Sequence, residues 1–148
     1  MRFSSYSIVL QEVPGEITLS FSITGCKLMC KGCHSPFLWK EGSGQELTKN
    51  IFEETIQQYN DMITCILFMG GEWHEKELIE FLKMARAKCL KTCLYTGLDN
   101  VSSDIIKELD FLKTGRWVSE LGGLDKDTTN QKFINVHTGE VLNNLFVQ

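Results

Sequence analysis

The chain of 148 residues lacks several features that would assign it to a broad class of proteins. It has no apolar run approaching the ~18 residues that a membrane-spanning helix needs, so we expect no membrane span. The N-terminus has no apolar segment of the signal-peptide kind, and lysine and arginine form no basic stripe. Together with a net charge of −4, this argues against nucleic acid as a partner.

No internal repeat, low-complexity segment or linker divides the chain. Its length suits one domain with a real hydrophobic core. The six cysteines follow no secretion signal, which indicates a reducing compartment where clustered thiols bind metal more often than they pair. We therefore predict a cytoplasmic protein of one domain.

Apolar residues recur with strand and helix periods in alternation along the chain. The predicted strands cover residues 6–12, 16–23, 65–69, 93–95 and 111–113. The predicted helices cover residues 48–59, 74–88 and 102–109. This alternation indicates βαβ units with right-handed crossovers and a parallel sheet, hence an α/β fold. Ligand sites in such folds collect at the carboxyl ends of the strands, so the loops that follow these strands are expected to meet.

Three cysteines, Cys26, Cys30 and Cys33, follow the second predicted strand at the spacing C-x3-C-x2-C. Iron–sulfur clusters are held by cysteine thiolates, and three thiolates on a four-iron cluster would leave one iron open. A structural zinc site normally has a fourth protein ligand. The nearest candidate, His34, directly follows Cys33, and adjacent side chains tend to diverge. The spacing alone leaves open a cluster, a zinc site or three inert thiols.

Two further segments end predicted strands, Gly70-Gly71-Glu72 and Thr96-Gly97. A glycine pair lets the backbone approach a ligand closely because no Cβ stands in the way, although most such pairs are simple turns. Thr96 either lines a pocket or caps its strand with its hydroxyl. The order and position of these segments, rather than either alone, favour a ligand site beside the cysteines.

The cysteine loop, with Gly70-Gly71-Glu72 about forty residues later, resembles the signature of the radical S-adenosylmethionine enzymes. The resemblance implies a partial, open (βα) barrel with parallel strands, forming one domain over residues 1–148. It also implies a [4Fe–4S] cluster with three cysteine ligands and one open iron, which binds the methionine moiety of S-adenosylmethionine. One electron then cleaves the sulfonium to methionine and a 5′-deoxyadenosyl radical. The implied cluster ligands are Cys26, Cys30 and Cys33, and the implied cofactor contacts are Gly70, Gly71, Glu72 and Thr96.

The stretch from Cys30 to Trp39 further resembles the loop of anaerobic ribonucleoside-triphosphate reductase activating proteins. The similarity covers roughly residues 6–136 and includes Tyr95-Thr96-Gly97, Gly115-Arg116-Trp117 and Asn130 to Ile134. It implies an oxidoreductase-type activase that generates a glycyl radical on the large subunit of that reductase. A low-potential electron donor such as flavodoxin is implied as well. The chain departs from the family pattern at Ser35, Trp73, Asp127 and Lys132.

Two alternatives stay open. The first is an activase of another glycyl-radical enzyme, or a small-molecule radical enzyme; many activases of the former kind carry further cysteine quartets, which this chain lacks. The second is a non-catalytic zinc-binding module. The remaining cysteines, Cys65, Cys89 and Cys93, are given no role, because free cysteine often behaves as a small core residue.

Overall fold

The computed structural model describes residues 1–147 as a mixed α/β structure. The strands are β1 Arg2–Val9, β2 Thr18–Ile23, β3 Gln45–Glu46, β4 Cys65–Met69, β5 Lys91–Tyr95, β6 Phe111–Thr114 and β7 Lys132–Asn135. The helices are α1 Lys49–Gln58, α2 Glu75–Ala87 and α3 Ser103–Ile106. Short 3₁₀ turns cover Pro36–Trp39, Glu72–His74 and Asn143–Leu145.

Within residues 1–147 the strands form one sheet in the order β3-β1-β2-β4-β5-β6-β7. The four central strands, β2, β4, β5 and β6, run parallel to one another. The outer strands β1, β3 and β7 are antiparallel to their neighbours, which the sequence does not predict. Because β3 and β7 stand at opposite edges, the sheet is open. The α/β class and the parallel core are thus confirmed, and a barrel of the radical S-adenosylmethionine type stays a prediction.

The central strands are buried on both faces. β4 has the predicted bounds, and its first four side chains are fully buried. In β2 the polar Thr18 and Ser20 are as inaccessible as Leu19 and Phe21, although the sequence alternates between apolar and polar residues. These polar side chains are inaccessible because β2 is an interior strand between β1 and β4, and both faces of the sheet are covered there.

The first strand lies earlier in the chain than residues 6–12. It covers Arg2–Val9, and the following residues bend into a turn in which the Glu16 N–H donates to the Val13 carbonyl at 3.1 Å. Ser4, Ser5 and Ser7 interrupt the apolar pattern of β1, so the sequence places the strand too late. β3 and β7 are missed because each is short and gains its order from an antiparallel neighbour.

The helices α1 and α3 begin where their side-chain caps predict. The Thr48 hydroxyl accepts from the Ile51 N–H at 3.1 Å at the start of α1. Ser102 caps α3 in the same way, but α3 ends at Ile106 rather than at the predicted residue 109. No helix of residues 1–147 has the length and apolar character required to cross a membrane.

The two faces of the sheet are covered by different parts of the chain. One face packs against the helices through a large apolar core that includes Phe21, Phe52, Phe68 and Phe81. The other face carries a smaller cluster of Val13, Cys65, Leu67, Cys93 and Phe133. Leu124, Leu142 and Phe146 pack against this second cluster. The C-terminal segment therefore covers the face that has no helices, and we call this face the inner face.

Candidate functional site

The cysteine loop begins directly at the carboxyl end of β2. The backbone N–H groups of Gly25 and Cys26 both donate to the Leu38 carbonyl, at 2.8 and 3.1 Å, and this closes the loop at its base. Within the loop the Cys33 N–H donates to the Cys30 carbonyl at 3.0 Å. All three cysteines of the loop are free and partly exposed. The fold thus presents the three thiols from one short, closed loop.

The surroundings of Cys26, the first thiol of the loop, oppose its ionisation. The pKa of Cys26 is raised, first by burial and then by the negative charges of Glu72, Cys30 and Cys33. Three neighbouring thiolates therefore need a positively charged partner such as bound iron, which displaces their protons. In the described part of the chain no three His, Cys, Asp or Glu side chains converge on a point that would hold one metal ion. A cubane cluster distributes its ligands over separate irons, so its thiolates need no common centre.

The glycines of Gly70-Gly71-Glu72 are required by the turn that follows β4. Both have positive φ, 83° for Gly70 and 113° for Gly71, which a residue with a side chain rarely adopts. A Cβ on Gly70 would lie 2.5 Å from the Trp73 ring. A Cβ on Gly71 would lie 3.3 Å from Met1 Sδ. The missing Cβ atoms thus make room for packing within the chain, and a cofactor contact by the two glycines stays a prediction.

Glu72 is the polar centre of this turn. The Thr96 hydroxyl donates to Glu72 Oε1 at 2.7 Å, and the Leu98 N–H donates to the Thr96 hydroxyl at 3.1 Å. The second carboxylate oxygen, Oε2, is buried and has no hydrogen-bond partner among residues 1–147. Burial raises the pKa of Glu72, and the hydrogen bond from Thr96 acts against this rise. A buried oxygen without a donor is costly, so Oε2 fits a ligand that brings its own N–H groups.

The cysteine loop, Gly70-Gly71-Glu72 and Thr96-Gly97 meet at the strand ends, as the sequence predicts. The Trp73 indole N–H donates to the Thr24 carbonyl at 3.1 Å, which joins the turn after β4 to the start of the cysteine loop. A Cβ on Gly97 would lie 2.3 Å from Leu28 Cδ1, so the loop packs directly on the end of β5. The structure therefore brings Cys26, Glu72 and Thr96 into one region.

Two cavities open near this region. The larger, of about 860 Å³, lies on the inner face of the sheet and is lined in part by Cys33, His34, Tyr95, Lys113 and Trp117. The smaller, of about 250 Å³, is lined by residues that include Glu72, Leu98 and Ser102. Cys33 and Glu72 thus face different cavities, although both belong to segments that meet at the strand ends.

Lys113 in β6 lines the larger cavity, and the sequence gives no sign of this. Burial lowers the pKa of Lys113 to about 8, whereas negative charge on Cys30 and Cys33 acts to raise it. Its ammonium stands 5.5 Å from the centre of the Tyr95 ring. The pairing of Tyr95 with Lys113 in the parallel register explains this contact, and the register is not visible in the sequence.

Trp117, from the segment Gly115-Arg116-Trp117, lies beside the cysteine loop. Its ring lies against the His34 ring at 4.5 Å between centres, and its indole nitrogen lies 3.5 Å from where a Cβ of Gly32 would be. The nitrogen is buried without a hydrogen-bond partner in the part of the chain that the structure describes. Trp117 is therefore in contact with the cysteine loop, and its indole N–H is unpaired among the described residues.

A closed loop of three cysteines beside a half-buried glutamate defines a candidate metal-cluster protein. The profile of the family described as "4Fe-4S single cluster domain" matches residues 14–137, which is most of the chain. The chain belongs to this family. A [4Fe–4S] cluster is the cofactor that this membership indicates.

Two curated relatives carry a more particular name. Both are called "Anaerobic ribonucleoside-triphosphate reductase-activating protein", one from Escherichia coli (strain K12) and one from Escherichia coli O157:H7. Each is 27% identical to this chain over 130 residues, which cover 78% of this chain and 84% of the relative. The resemblance to this group of activating proteins, predicted from the motifs, is confirmed.

Proposed function

We propose that this protein is an activase that uses a [4Fe–4S] cluster to cleave S-adenosylmethionine reductively and to generate a glycyl radical on an anaerobic ribonucleoside-triphosphate reductase. The family match and the names of the two relatives support the activase role. The single observation in this chain that carries the cofactor proposal is the buried, unpartnered Oε2 of Glu72 beside the cysteine loop.

In this proposal Cys26, Cys30 and Cys33 bind three irons of the cluster and leave the fourth open. The loop is suited to this because its base is closed on the Leu38 carbonyl, so one fixed segment carries all three thiols. When bound, the cluster and S-adenosylmethionine supply a one-electron cleavage of the sulfonium to methionine and a 5′-deoxyadenosyl radical, which takes a hydrogen atom from a glycine Cα.

Glu72 and Thr96 act together in holding the cofactor. Glu72 Oε2 accepts a hydrogen bond from the amino group of the methionine moiety, which satisfies the oxygen that the chain leaves without a donor. Thr96 fixes the carboxylate by donating to the other oxygen at 2.7 Å. We assign Gly70 and Gly71 as backbone contacts on the same turn, which their left-handed conformations shape.

The partner follows from the relatives' name, and the shape of the sheet agrees with it. A full (βα)8 barrel has eight strands and ~250 residues, whereas the sheet described for residues 1–147 is open and carries helices on one face. The cavity of about 860 Å³ on the inner face, beside the C-terminal segment that covers the rest of that face, allows a loop of a large protein to enter. We infer that the glycine to be activated belongs to the large subunit of the reductase and that a low-potential donor such as flavodoxin supplies the electron.

The test is radical transfer to a chosen partner. The protein is reconstituted with iron and sulfide under anaerobic conditions, reduced, and mixed with S-adenosylmethionine and either the anaerobic reductase or another glycyl-radical enzyme. Electron paramagnetic resonance then reports which protein acquires a glycyl radical. A radical on the reductase alone supports the proposal. A radical on the other enzyme alone would contradict the proposed partner and show that this protein activates a different glycyl-radical enzyme.

Metal analysis of the same samples distinguishes an iron–sulfur protein from the alternative, a zinc-binding module. Wild-type protein and Cys89→Ser should contain iron and acid-labile sulfide in equal amounts, because Cys89 is exposed and lies outside the loop. Cys33→Ser should lose most of both, because a serine oxygen is a poor ligand for iron–sulfur clusters. Zinc without sulfide in the anaerobically isolated wild type would contradict the proposal.

A further inference from the structure

The indole N–H of Trp117 is a buried donor that the chain leaves unused. Trp117 Nε1 is inaccessible and has no hydrogen-bond partner within residues 1–147. A buried N–H without an acceptor is rare in folded proteins because its desolvation is not compensated by a hydrogen bond. An acceptor that arrives with a ligand removes this cost. The position of the indole therefore indicates where such an acceptor would lie.

That position is the cysteine loop. The Trp117 nitrogen lies 3.5 Å from where a Cβ of Gly32 would be, and Gly32 directly precedes Cys33. Trp117 and Cys33 also line the same cavity. The His34 ring covers the indole at 4.5 Å between ring centres, which holds the ring in place.

Lys113 brings a positive charge to the same cavity. It projects from β6 onto the inner face and lines the cavity together with Cys33 and Trp117. None of the carboxylates in residues 1–147 forms an ion pair with it. By contrast, Lys126 at the same cavity is exposed and pairs with Asp125 at 3.3 Å. Lys113 is thus a cation on the cavity wall for which the described chain supplies no counter-charge.

We propose that Trp117 and Lys113 are positioning residues for the cluster, which stabilise its reduced state and raise its reduction potential. The inference rests on the cluster ligands assigned under the proposed function. Reduction adds one electron, and so one unit of negative charge, to the cluster. A nearby ammonium and a hydrogen bond to sulfur lower the free energy of the reduced state more than that of the oxidised state. The potential of iron–sulfur clusters depends on such charges and hydrogen bonds.

The test is redox titration of the reconstituted protein, followed by electron paramagnetic resonance, for variants that change only the proposed groups. Trp117→Phe keeps an aromatic ring and removes the N–H, and Lys113→Met keeps the chain length and removes the charge. Both should shift the midpoint potential to more negative values, and the double variant should shift it further. Lys113→Arg keeps the charge and should stay near the wild type. Lys126→Met, which removes an exposed lysine of the same cavity, should leave the potential unchanged.

Unchanged potentials in Trp117→Phe and Lys113→Met would overturn the inference, as would an equal shift in Lys113→Arg and Lys113→Met. If Trp117→Phe fails to assemble a cluster, labelling of the wild-type indoles with ¹⁵N decides the role of Trp117. Hyperfine coupling of an indole nitrogen to the reduced cluster supports it, and absence of coupling overturns it. Failure of the wild type to hold four iron and four sulfide would instead contradict the cluster assignment, so the two failures are distinguishable.

Discussion

The two carboxylate oxygens of Glu72 differ in their hydrogen bonding. Oε1 accepts from Thr96 at 2.7 Å, whereas Oε2 is buried without a partner in residues 1–147. Burial raises the pKa of this carboxyl group. In the protein without cofactor, the ionised form at neutral pH therefore lowers stability, and this is a common cost of a prepared binding site.

Glu72→Gln should have opposite effects on the stability of the protein and on its affinity for the cofactor. We expect the free energy of unfolding at neutral pH to rise by roughly 1 kcal/mol, because a neutral amide replaces a buried charge. The affinity for S-adenosylmethionine should fall in the same variant. Since the folded state raises the pKa of Glu72, the carboxyl group favours folding at low pH, and this benefit is lost as pH rises through the folded-state pKa. The stability gap between variant and wild type should therefore narrow on acidification.

Denaturant unfolding across pH and calorimetric titration with the cofactor measure these two effects. Glu80→Gln is the matched control, because the Glu80 side chain is exposed and pairs with Lys49 at 3.6 Å on the surface. It should change stability by less than about 0.5 kcal/mol. A Glu72→Gln protein that is less stable than the wild type at neutral pH would contradict this account of Glu72.

Asp110 shows the opposite electrostatic balance. Burial pushes its pKa up, but hydrogen bonds with His137 and the Thr92 N–H, together with the charge of Arg86, outweigh burial and lower the pKa. The Asp110 carboxylate lies 2.6 Å from His137 Nε2 and accepts from the Thr92 N–H at 2.9 Å. The ionised form of Asp110 therefore ties β5 to the segment that follows β7.

Asp110→Asn should destabilise the protein by about 1 kcal/mol at neutral pH, because charge-assisted hydrogen bonds become neutral ones. A lowered folded-state pKa gives stability that is present above the usual aspartate pKa and is lost as pH falls through the folded-state pKa. The difference from the wild type should thus disappear in acid. Unfolding curves from neutral to acidic pH measure it, with the exposed Asp61→Asn as control. A difference that persists unchanged at low pH would contradict the assignment.

At the scale of elements, β7 and the segment after it complete the inner face. Phe133 of β7 is 0% exposed and packs against Phe111 and Phe146, with ring centres 5.5 and 5.1 Å apart. The Asn143 side chain accepts from the Phe133 N–H at 2.8 Å and donates to the Gln131 carbonyl at the same distance. These contacts hold the C-terminal segment on the sheet.

Phe133→Ala should lower the free energy of unfolding by about 3–5 kcal/mol, because it leaves a cavity in the middle of the inner-face cluster. Thermal and denaturant unfolding measure the loss. Phe37→Ala removes the same ring from a side chain that is 61% exposed, and it should cost less than about 0.5 kcal/mol. Similar losses for the two variants would show that the inner-face cluster does not stabilise the fold in the way described.

The elements that the sequence predicts well are those whose own residues determine them. α1 begins at its Thr48 cap, and β4 is an uninterrupted apolar run, so both have the predicted positions. β3 and β7 are defined by antiparallel neighbours far away in the chain, and their few residues carry no pattern of their own. The sequence also misplaces β1, because serines interrupt its apolar residues.

The same distinction applies to the site. The meeting of the cysteine loop, Glu72 and Thr96 follows from three strand ends in a parallel sheet, which sequence order predicts. The approach of Lys113 to Tyr95 depends on strand register, and that of Trp117 to Gly32 depends on how a loop after β6 folds back. Neither is encoded in a local pattern, so these residues become visible only in the structure.

For the whole molecule, the helices cover one face of the sheet and leave the other to the C-terminal segment and a cavity. The strand ends of β2, β4 and β5 bring the cysteine loop and the Glu72 turn together at the rim of that arrangement. In the proposed activity this geometry has a purpose, because a partner protein must bring its glycine close to the cofactor while the rest of that protein stays outside. That residues 1–148 form a single domain stays a prediction.

The most direct test of the central proposal is product analysis under anaerobic conditions. The reconstituted protein is reduced with dithionite and given S-adenosylmethionine, and methionine and 5′-deoxyadenosine are quantified for the wild type, Cys33→Ser and Cys89→Ser. The account predicts both products in equal amounts from the wild type and Cys89→Ser. In Cys33→Ser it predicts a loss of more than about tenfold, because losing a direct cluster ligand costs at least as much as losing an outer-shell partner. A wild-type protein that holds a complete four-iron cluster, binds the cofactor and yields neither product would contradict it.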